Sequence, residues 1–317
     1  MKKKKTLRVS LLVFFLVIVL SSSALSDGCF FGYRDLEEPS QVGVIVSERG
    51  GEDLILFVNA YGEDQEFAWV IPVPSYPTIE EGDSNLFYDL SYLTTYIPNH
   101  TQATCGSGEI VFAPGGTGNV HVWETMDVGI YETTILSADT SSALIDWLNK
   151  NGYTFPEGGG QVISYYIGKG YYFIAMKVKK EDSENPNYYM GIKPIHIHFS
   201  TSKIIYPLKI SSISAADQTE VLLYIFDRKP WKYPKFSVEY SAYLKPEDYA
   251  SFSSLNKLLN GKTFYLTKMR ALLSPSDMSE DMVFSSCREE KLSFLDSPIS
   301  QLLLIGLLGL FVERRIK

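Results

Sequence analysis

Two histidines one residue apart, His196 and His198, are the residues of this sequence best placed to bind a metal ion. In a β-strand, alternate side chains lie on one face, so both imidazoles would be close enough to share a zinc or copper ion. A third ligand would have to come from elsewhere, for instance from His121 or a carboxylate. The alternative is an ordinary half-buried strand over 195–199, with its apolar side chains in the core and both histidines toward solvent.

A cluster of acidic residues gives a second candidate site, for calcium. Glu81, Asp83 and Asn85 follow the spacing with which an EF-hand loop begins, and oxygen ligands of this kind are the ones that calcium prefers. The twelfth position of the loop carries Tyr92, where an EF-hand has a bidentate glutamate. The alternative is a loop of solvated charges. The sequence thus establishes no cofactor, and zinc and calcium are the candidates.

Motifs of the common catalytic sites are absent from the chain. It has no Gly-x-Ser-x-Gly elbow, no dinucleotide-binding glycine loop, no P-loop and no His-Glu-x-x-His helix. We therefore expect a binding or structural module rather than an enzyme. The alternative is a secreted metal-dependent hydrolase that uses His196 and His198.

Tyrosine is abundant, with 21 residues in the chain. Exposed aromatic rings can stack on sugars or anchor a protein partner, because they offer rigid area and a hydroxyl group. Strand pairing and core packing are the alternative for most of them. Tyr188 and Tyr189 lie in a polar stretch that offers no obvious core. The tyrosines that cluster in sequence are Tyr165, Tyr166, Tyr171, Tyr172, Tyr188 and Tyr189.

The charge of the chain is unevenly distributed. The formal net charge is −8, yet residues 27–149 contain two basic residues against 20 acidic ones. Such a surface repels a phosphate backbone, so nucleic acid is excluded as a partner.

The elements that must position these residues are predicted to be strands interrupted by a few short helices. A hairpin is expected over 42–58, and a strand over 67–71 is expected to stop at Pro72, which cannot donate to a strand ladder. Thr140 is a suitable N-cap for a helix that Gly152 ends. Further helices are predicted over 83–93 and 161–167, and further strands over 120–123, 131–136, 171–178, 192–199, 221–226, 236–243, 264–269 and 282–284.

Strands that do not alternate regularly with helices are typical of an α+β fold with largely antiparallel sheets. We expect two lobes, an acidic front lobe over 27–168 and a strand-rich back lobe over 169–297.

Several short blocks follow one another in a characteristic order: Phe67–Pro74, Val128–Tyr131, Leu136–Asp139, Trp147–Tyr153, Tyr206–Ser211, Tyr265–Arg270 and Met278–Asp281. Together they resemble the exported domain-of-unknown-function family 2330, over most of residues 29–285. The resemblance implies an extracytoplasmic prokaryotic protein. It implies no activity, because that family has no established catalytic or binding residues.

Residues 1–26 have the order of a secretory signal peptide. Basic residues at 2–8 precede the apolar run Leu11–Leu20 and the small residues of 21–26. Cleavage after this segment is expected, and an uncleaved anchor or a lipoprotein lipidated at Cys29 are the alternatives.

Residues 298–317 are predicted to be a transmembrane anchor or a sorting signal. The fourteen apolar residues Ile299–Val312 would span about 21 Å as a helix, against a hydrocarbon core of roughly 30 Å. The proline, the Leu/Gly-rich run and the basic end resemble the signals of exosortase- and archaeosortase-processed surface proteins. A basic tail is typical of the cytoplasmic side, which leaves 27–297 outside the cell membrane. A buried C-terminal helix is the alternative.

Export also changes what is expected of the cysteines. Cys29, Cys105 and Cys287 allow one disulfide in an oxidising compartment, and the sequence leaves open which two residues form it. Asn99 begins a glycosylation sequon. The sequence thus predicts a protein of the cell membrane or cell surface whose partners are the membrane and an envelope protein or glycan.

Overall fold

The computed structural model describes residues 29–32, 38–58, 67–96, 118–153, 155–156, 158–178 and 193–284. The predicted signal peptide, the run Ile299–Val312 and the sequon at Asn99 lie outside these residues. So do Cys105, Cys287, Tyr188 and Tyr189, and of Cys29 only the backbone is described.

The described residues form fourteen strands and six α-helices. The strands are β1 Cys29–Gly32, β2 Glu38–Glu48, β3 Gly51–Val58, β4 Phe67–Val73, β5 Thr78–Glu81, β6 Val120–Val128, β7 Tyr131–Ala138, β8 Tyr172–Val178, β9 Ile195–Ser200, β10 Ile204–Tyr206, β11 Ala215–Asp227, β12 Ser237–Leu244, β13 Phe264–Leu273 and β14 Met282–Phe284. The helices are α1 Asn85–Tyr96, α2 Ser141–Lys150, α3 Gly160–Gly168, α4 Leu208–Ser211, α5 Pro246–Tyr249 and α6 Ser253–Leu259, and a 3-10 turn follows at Pro275–Met278.

Two sheets and a short ribbon organise these strands. One sheet has the order β1-β4-β8-β7-β6, the other has the order β12-β13-β11-β2-β3-β9-β5, and β10 pairs with β14. Each of the two large sheets takes strands from both sides of residue 168. Of the pairings in the described part of the chain, only that of β2 with β11 is parallel. The predicted α+β fold with largely antiparallel sheets is confirmed.

The two sheets pack face to face, and helices cover their outer faces. Ile45 and Leu54 of the seven-stranded sheet share one buried cluster with Trp69 and Ile174 of the five-stranded sheet. Leucines of α1 and α6 pack on the other face of the seven-stranded sheet, and those of α2 pack with Ile163 of α3 on the five-stranded sheet. The layers therefore run helix, sheet, sheet, helix, because the central strands of both sheets alternate side chains between two buried faces.

Two local predictions, a hairpin and a helix cap, are confirmed, and a third, the end of a strand, is corrected. β2 and β3 form the predicted hairpin, and Thr140 caps α2 by accepting a hydrogen bond from the Ala143 amide. The strand β4 does not stop at Pro72 but continues to Val73. In the described residues β1 pairs with β4 only as far as Val70, so Pro72 has a neighbouring strand on one side, where a missing N–H is tolerated.

Helices in the described ranges are short. The longest is α1, with 12 residues, and within those ranges no helix has the length and apolar character needed to cross a membrane.

A buried carboxylate holds the β10–β14 ribbon in place. Asp281, 4% exposed, accepts a hydrogen bond from the Tyr166 hydroxyl at 2.5 Å and one from the Lys209 amide at 3.1 Å. The Tyr166 oxygen in turn accepts the Ile210 amide at 2.9 Å. Burial raises the pKa of Asp281 to about 6, although these hydrogen bonds lower it.

A second buried carboxylate acts on the same ribbon from the opposite sheet. Glu52 of β3 accepts the Ile205 amide at 2.8 Å, and burial raises its pKa well above the ordinary value. Glu52 therefore connects the ribbon to the seven-stranded sheet, and Asp281 connects it to α3, which packs on the five-stranded sheet. In both acids burial raises the pKa and favours the neutral form, and it outweighs the accepted hydrogen bonds, which favour the anion.

We predict that Asp281 makes folding stability depend on pH. The folded protein binds this proton more tightly than the unfolded chain does, so the stabilisation is complete below about pH 4 and is lost as the pH rises through about 6. Relative to Asp281→Asn, which keeps an acceptor oxygen, the wild type should lose on the order of 3 kcal/mol over this range. Urea denaturation from pH 4 to 7 measures it, and parallel profiles for the two proteins would contradict the prediction.

Candidate functional site

The two predicted metal-binding histidines lie on β9, which is flanked by β3 and β5. Ile195, Ile197 and Phe199 are buried between the sheets. Period-two alternation therefore places His196 and His198 on the outer face, which the helices α1 and α6 cover in part. The expected orientation of this strand is confirmed.

Carboxylates on both neighbouring strands bind the histidines. His196 Nδ1 lies 2.8 Å from Glu80 Oε1 of β5, and His196 Nε2 lies 2.9 Å from Asp53 Oδ1 of β3. His198 Nδ1 lies 3.0 Å from the same Asp53 oxygen. The four side chains form one hydrogen-bonded chain, Glu80–His196–Asp53–His198, in which one aspartate oxygen serves two imidazoles.

Asp53 is the electrostatic centre of this chain. Partial burial raises its pKa, but the hydrogen bonds and charges of His196 and His198 outweigh burial, so that the pKa lies below the ordinary value. Asp53 is therefore held as an anion at neutral pH, which favours a proton on each nitrogen that faces it.

The distances in the chain are those of hydrogen bonds. A zinc ion would lie about 2.0–2.2 Å from its nitrogen and oxygen ligands, and in the described part of the chain no three His, Cys, Asp or Glu side chains are placed to hold a metal ion. His121, the third ligand considered above, lies on β6 of the other sheet, with Nε2 3.8 Å from Asp139. The structure brings Asp53 to the histidine pair, and not His121.

Two of the residues predicted to bind calcium, Glu81 and Asp83, line a cavity beside His196 and Asp53, and Asn85 is not part of its lining. The cavity has a volume of about 190 Å³ and is lined by Asp53, Ile55, Glu80, Glu81, Gly82, Asp83, Leu86, His196, Ser254, Lys257 and Leu258. Glu81 pairs with Lys193 at 2.8 Å. Asp83 accepts hydrogen bonds from the Asn85 amide at 2.9 Å and from the Ser254 hydroxyl at 2.7 Å. Asp83 thus caps α1 and connects it to α6, whereas Glu81 is held by Lys193.

A separate group of three rings, the exposed Tyr76 and Trp123 and the partly buried Tyr172, forms what we call the aromatic surface. Tyr76 lies between β4 and β5, where the chain passes from one sheet to the other. Trp123 is the extra residue of a bulge in the edge strand β6. Tyr172 begins β8 and packs partly on the core between the sheets. The three rings therefore meet at the margin of the core between the two sheets, where that core reaches the solvent.

The rings of the aromatic surface support one another. The centroid distances are 6.2 Å for Tyr76–Trp123, 5.7 Å for Tyr76–Tyr172 and 5.7 Å for Trp123–Tyr172. Tyr76 and Trp123 nevertheless remain 42% and 55% exposed. Edge and tilted contacts of this kind hold each ring in one orientation.

Hydrogen bonds fix the polar ends of the rings. The Tyr76 hydroxyl donates to Glu124 Oε2 at 2.8 Å, and this bond raises the pKa of Tyr76. Trp123 Nε1 donates to Ser137 Oγ at 3.0 Å. The aromatic surface is therefore rigid before any ligand arrives, which lowers the entropy that binding costs.

The tyrosines singled out from sequence divide between core and surface. Tyr166 and Tyr171 are buried, and Tyr165 is partly buried beside Lys169. Of the described tyrosines in that group, Tyr172 alone joins the aromatic surface. The sequence analysis did not single out Tyr76 or Trp123. A signal was available for Trp123, because it lies in a strand that has few other apolar residues on the side facing away from the core.

A second exposed aromatic group lies on the helix layer. Tyr88 and Tyr92 of α1 line an open groove of about 560 Å³ together with Phe252. Tyr88 is 75% exposed. This group offers a control position remote from the aromatic surface.

Comparison with known proteins gives a family but no activity. A family model described as "Uncharacterized protein conserved in bacteria (DUF2330)" matches residues 32–285. No curated protein matches the chain. Among solved structures, the chain is similar to the crystal structure of baculovirus P35, at 9% identity and a TM-score of 0.35, over 79% of this chain and 97% of that one. A likeness of that size carries no argument.

We predict that Asp53→Asn destabilises the fold at neutral pH by about 1–3 kcal/mol, because the two imidazoles then face a neutral amide oxygen in place of a charged carboxylate. The pKa of Asp53 is depressed, so its contribution is present above the unfolded value of 3.8 and is lost as the pH falls below it. Chemical denaturation at pH 7 and pH 3 should therefore show a difference from wild type that shrinks at pH 3.

Glu80→Gln is the matched control, since it changes the other carboxylate on His196. The Glu80 side chain is 72% exposed, so its loss should cost less than about 1 kcal/mol. Equal effects of the two substitutions would contradict the central role given to Asp53.

Proposed function

The chain belongs to this family of uncharacterised bacterial proteins, and we propose that it is an extracytoplasmic binding module of the cell envelope. Its signal-peptide pattern at 1–26 and its apolar run Ile299–Val312 with a basic tail support export and tethering to the membrane. The proposed partner is a component of the cell envelope that lies on the same side of the membrane as residues 27–297.

The observation that carries the binding role is the aromatic surface. Tyr76, Trp123 and Tyr172 are held rigidly by one another and by Glu124 and Ser137, yet large parts of two of the rings stay in water. A fold that has buried 57 apolar side chains in the described residues could also have covered these rings. Rigid, exposed aromatic groups of this kind are typical of binding surfaces.

We predict that Trp123→Ala weakens binding to the insoluble envelope fraction of the source bacterium by about tenfold, because an exposed anchoring ring is lost. The measurement is co-sedimentation of the full chain in detergent with that fraction after its membranes have been extracted, over a range of protein concentrations, so that the run Ile299–Val312 does not itself hold the protein in the pellet. Trp123→Phe, which keeps an aromatic face but no N–H, should retain most of the binding.

Tyr88→Ala is the control, because it removes an exposed ring from α1 and leaves the aromatic surface intact. It should bind as the wild type does. Thermal melts of all three variants show whether they are folded. A folded Trp123→Ala protein that sediments like the wild type would disprove the proposed binding face.

A metal-dependent hydrolase that uses His196 and His198 is the second candidate. It is favoured by the shared carboxylate of Asp53 and by the adjoining cavity of about 190 Å³. Elemental analysis of the full chain tests it. About one zinc ion per chain, lost in His198→Ala and kept in His121→Ala, would support the hydrolase, and a metal-free protein would remove it.

A further inference from the structure

The exposed area of the aromatic surface limits what it can bind. Fully buried aromatic side chains cover about 150–250 Å² each. Tyr76 and Trp123 are about half exposed and Tyr172 is partly buried, so the three rings offer roughly 150–300 Å². A stable protein interface needs roughly 800 Å² on each partner. The surface is thus too small for a protein anchored there alone and matches a ligand of a few rings.

The charge around the surface limits the ligand further. β6, β7 and the turn between them, residues 120–138, carry Glu124, Asp127 and Glu132 and no lysine or arginine. An anionic polymer would be repelled there, and a phosphate or sulfate group would find no partner on these strands. An uncharged ligand meets neither obstacle.

The polar groups at the edge of the rings suit hydroxyl groups. A carboxylate has about four acceptor positions, and the exposed Glu124 uses one of them for the Tyr76 hydroxyl. Ser137 Oγ lies 3.0 Å from Trp123 Nε1, and the Tyr76 oxygen lies 2.8 Å from Glu124. Aromatic faces beside such acceptors match a sugar ring, which presents C–H groups on its face and hydroxyls at its rim.

We infer that the aromatic surface binds an uncharged saccharide of the cell envelope. This inference rests on the proposed function and names the ligand class for the same surface. The sugar face lies on Trp123, and its hydroxyls donate to Glu124. Tyr172 and Tyr76 hold the indole in place and extend the contact.

Titration of the full chain with the neutral tetrasaccharides chitotetraose and maltotetraose tests the inference. The wild type should bind at least one of them, and Trp123→Ala should bind it at least tenfold more weakly. Glu124→Gln keeps an acceptor oxygen and should lose less than Glu124→Ala. Tyr76→Phe removes the hydrogen bond to Glu124 but leaves its carboxylate, so it should keep most of the binding; if Glu124 only positioned Tyr76, Tyr76→Phe would cost as much as Glu124→Ala. Tyr88→Ala should bind like the wild type.

Competition during co-sedimentation separates this inference from the proposed function. If the saccharide is correct, the neutral tetrasaccharide that binds should release the protein from the envelope fraction, and the anionic polymer heparin should not. If Trp123→Ala abolishes sedimentation but no neutral saccharide binds or competes, the binding module stands and the saccharide is wrong. Stronger competition by heparin would also overturn the inference.

Discussion

The burial of two sheets against each other is the constraint on which the rest of this structure depends. The strands of the two sheets place alternate apolar side chains between the sheets, because that burial supplies most of the stabilising free energy. The remaining side chains must face the helices or the solvent. On β9 the burial of Ile195 and Ile197 therefore fixes His196 and His198 on the outer face, next to Asp53 and Glu80.

The same constraint explains where the aromatic surface lies. The core between the sheets ends at β6, the edge strand of the smaller sheet. The bulge at Trp123 interrupts the alternation that would otherwise decide on which face of the sheet the Trp123 side chain lies. Tyr76 reaches this edge because its segment connects the two sheets. An exposed position at the margin of a well-packed core combines rigidity with access, and both are needed for a binding surface.

How much the sequence could predict follows from which interactions are local. The hairpin of β2 and β3, the cap at Thr140 and the alternation on β9 depend on neighbouring residues, and the structure confirms them. The partner of His196 depends on strand order, because Asp53 is 143 residues away in the chain. The parallel pairing of β2 with β11 and the bulge at Trp123 likewise arise from tertiary packing, so no local pattern indicated them. Calcium binding by Glu81, Asp83 and Asn85 stays a prediction, since the structure shows capping and ion pairs at the first two residues.

The indole N–H resonances give the most direct test of the central claim that the aromatic surface is the binding site. The chain has four tryptophans, Trp69, Trp123, Trp147 and Trp231, and of these Trp123 alone belongs to the aromatic surface. On addition of a neutral tetrasaccharide to the labelled protein, the account predicts that the Trp123 resonance moves progressively while the other three stay in place. A Trp123 resonance that does not move, or movement confined to another tryptophan, would contradict it.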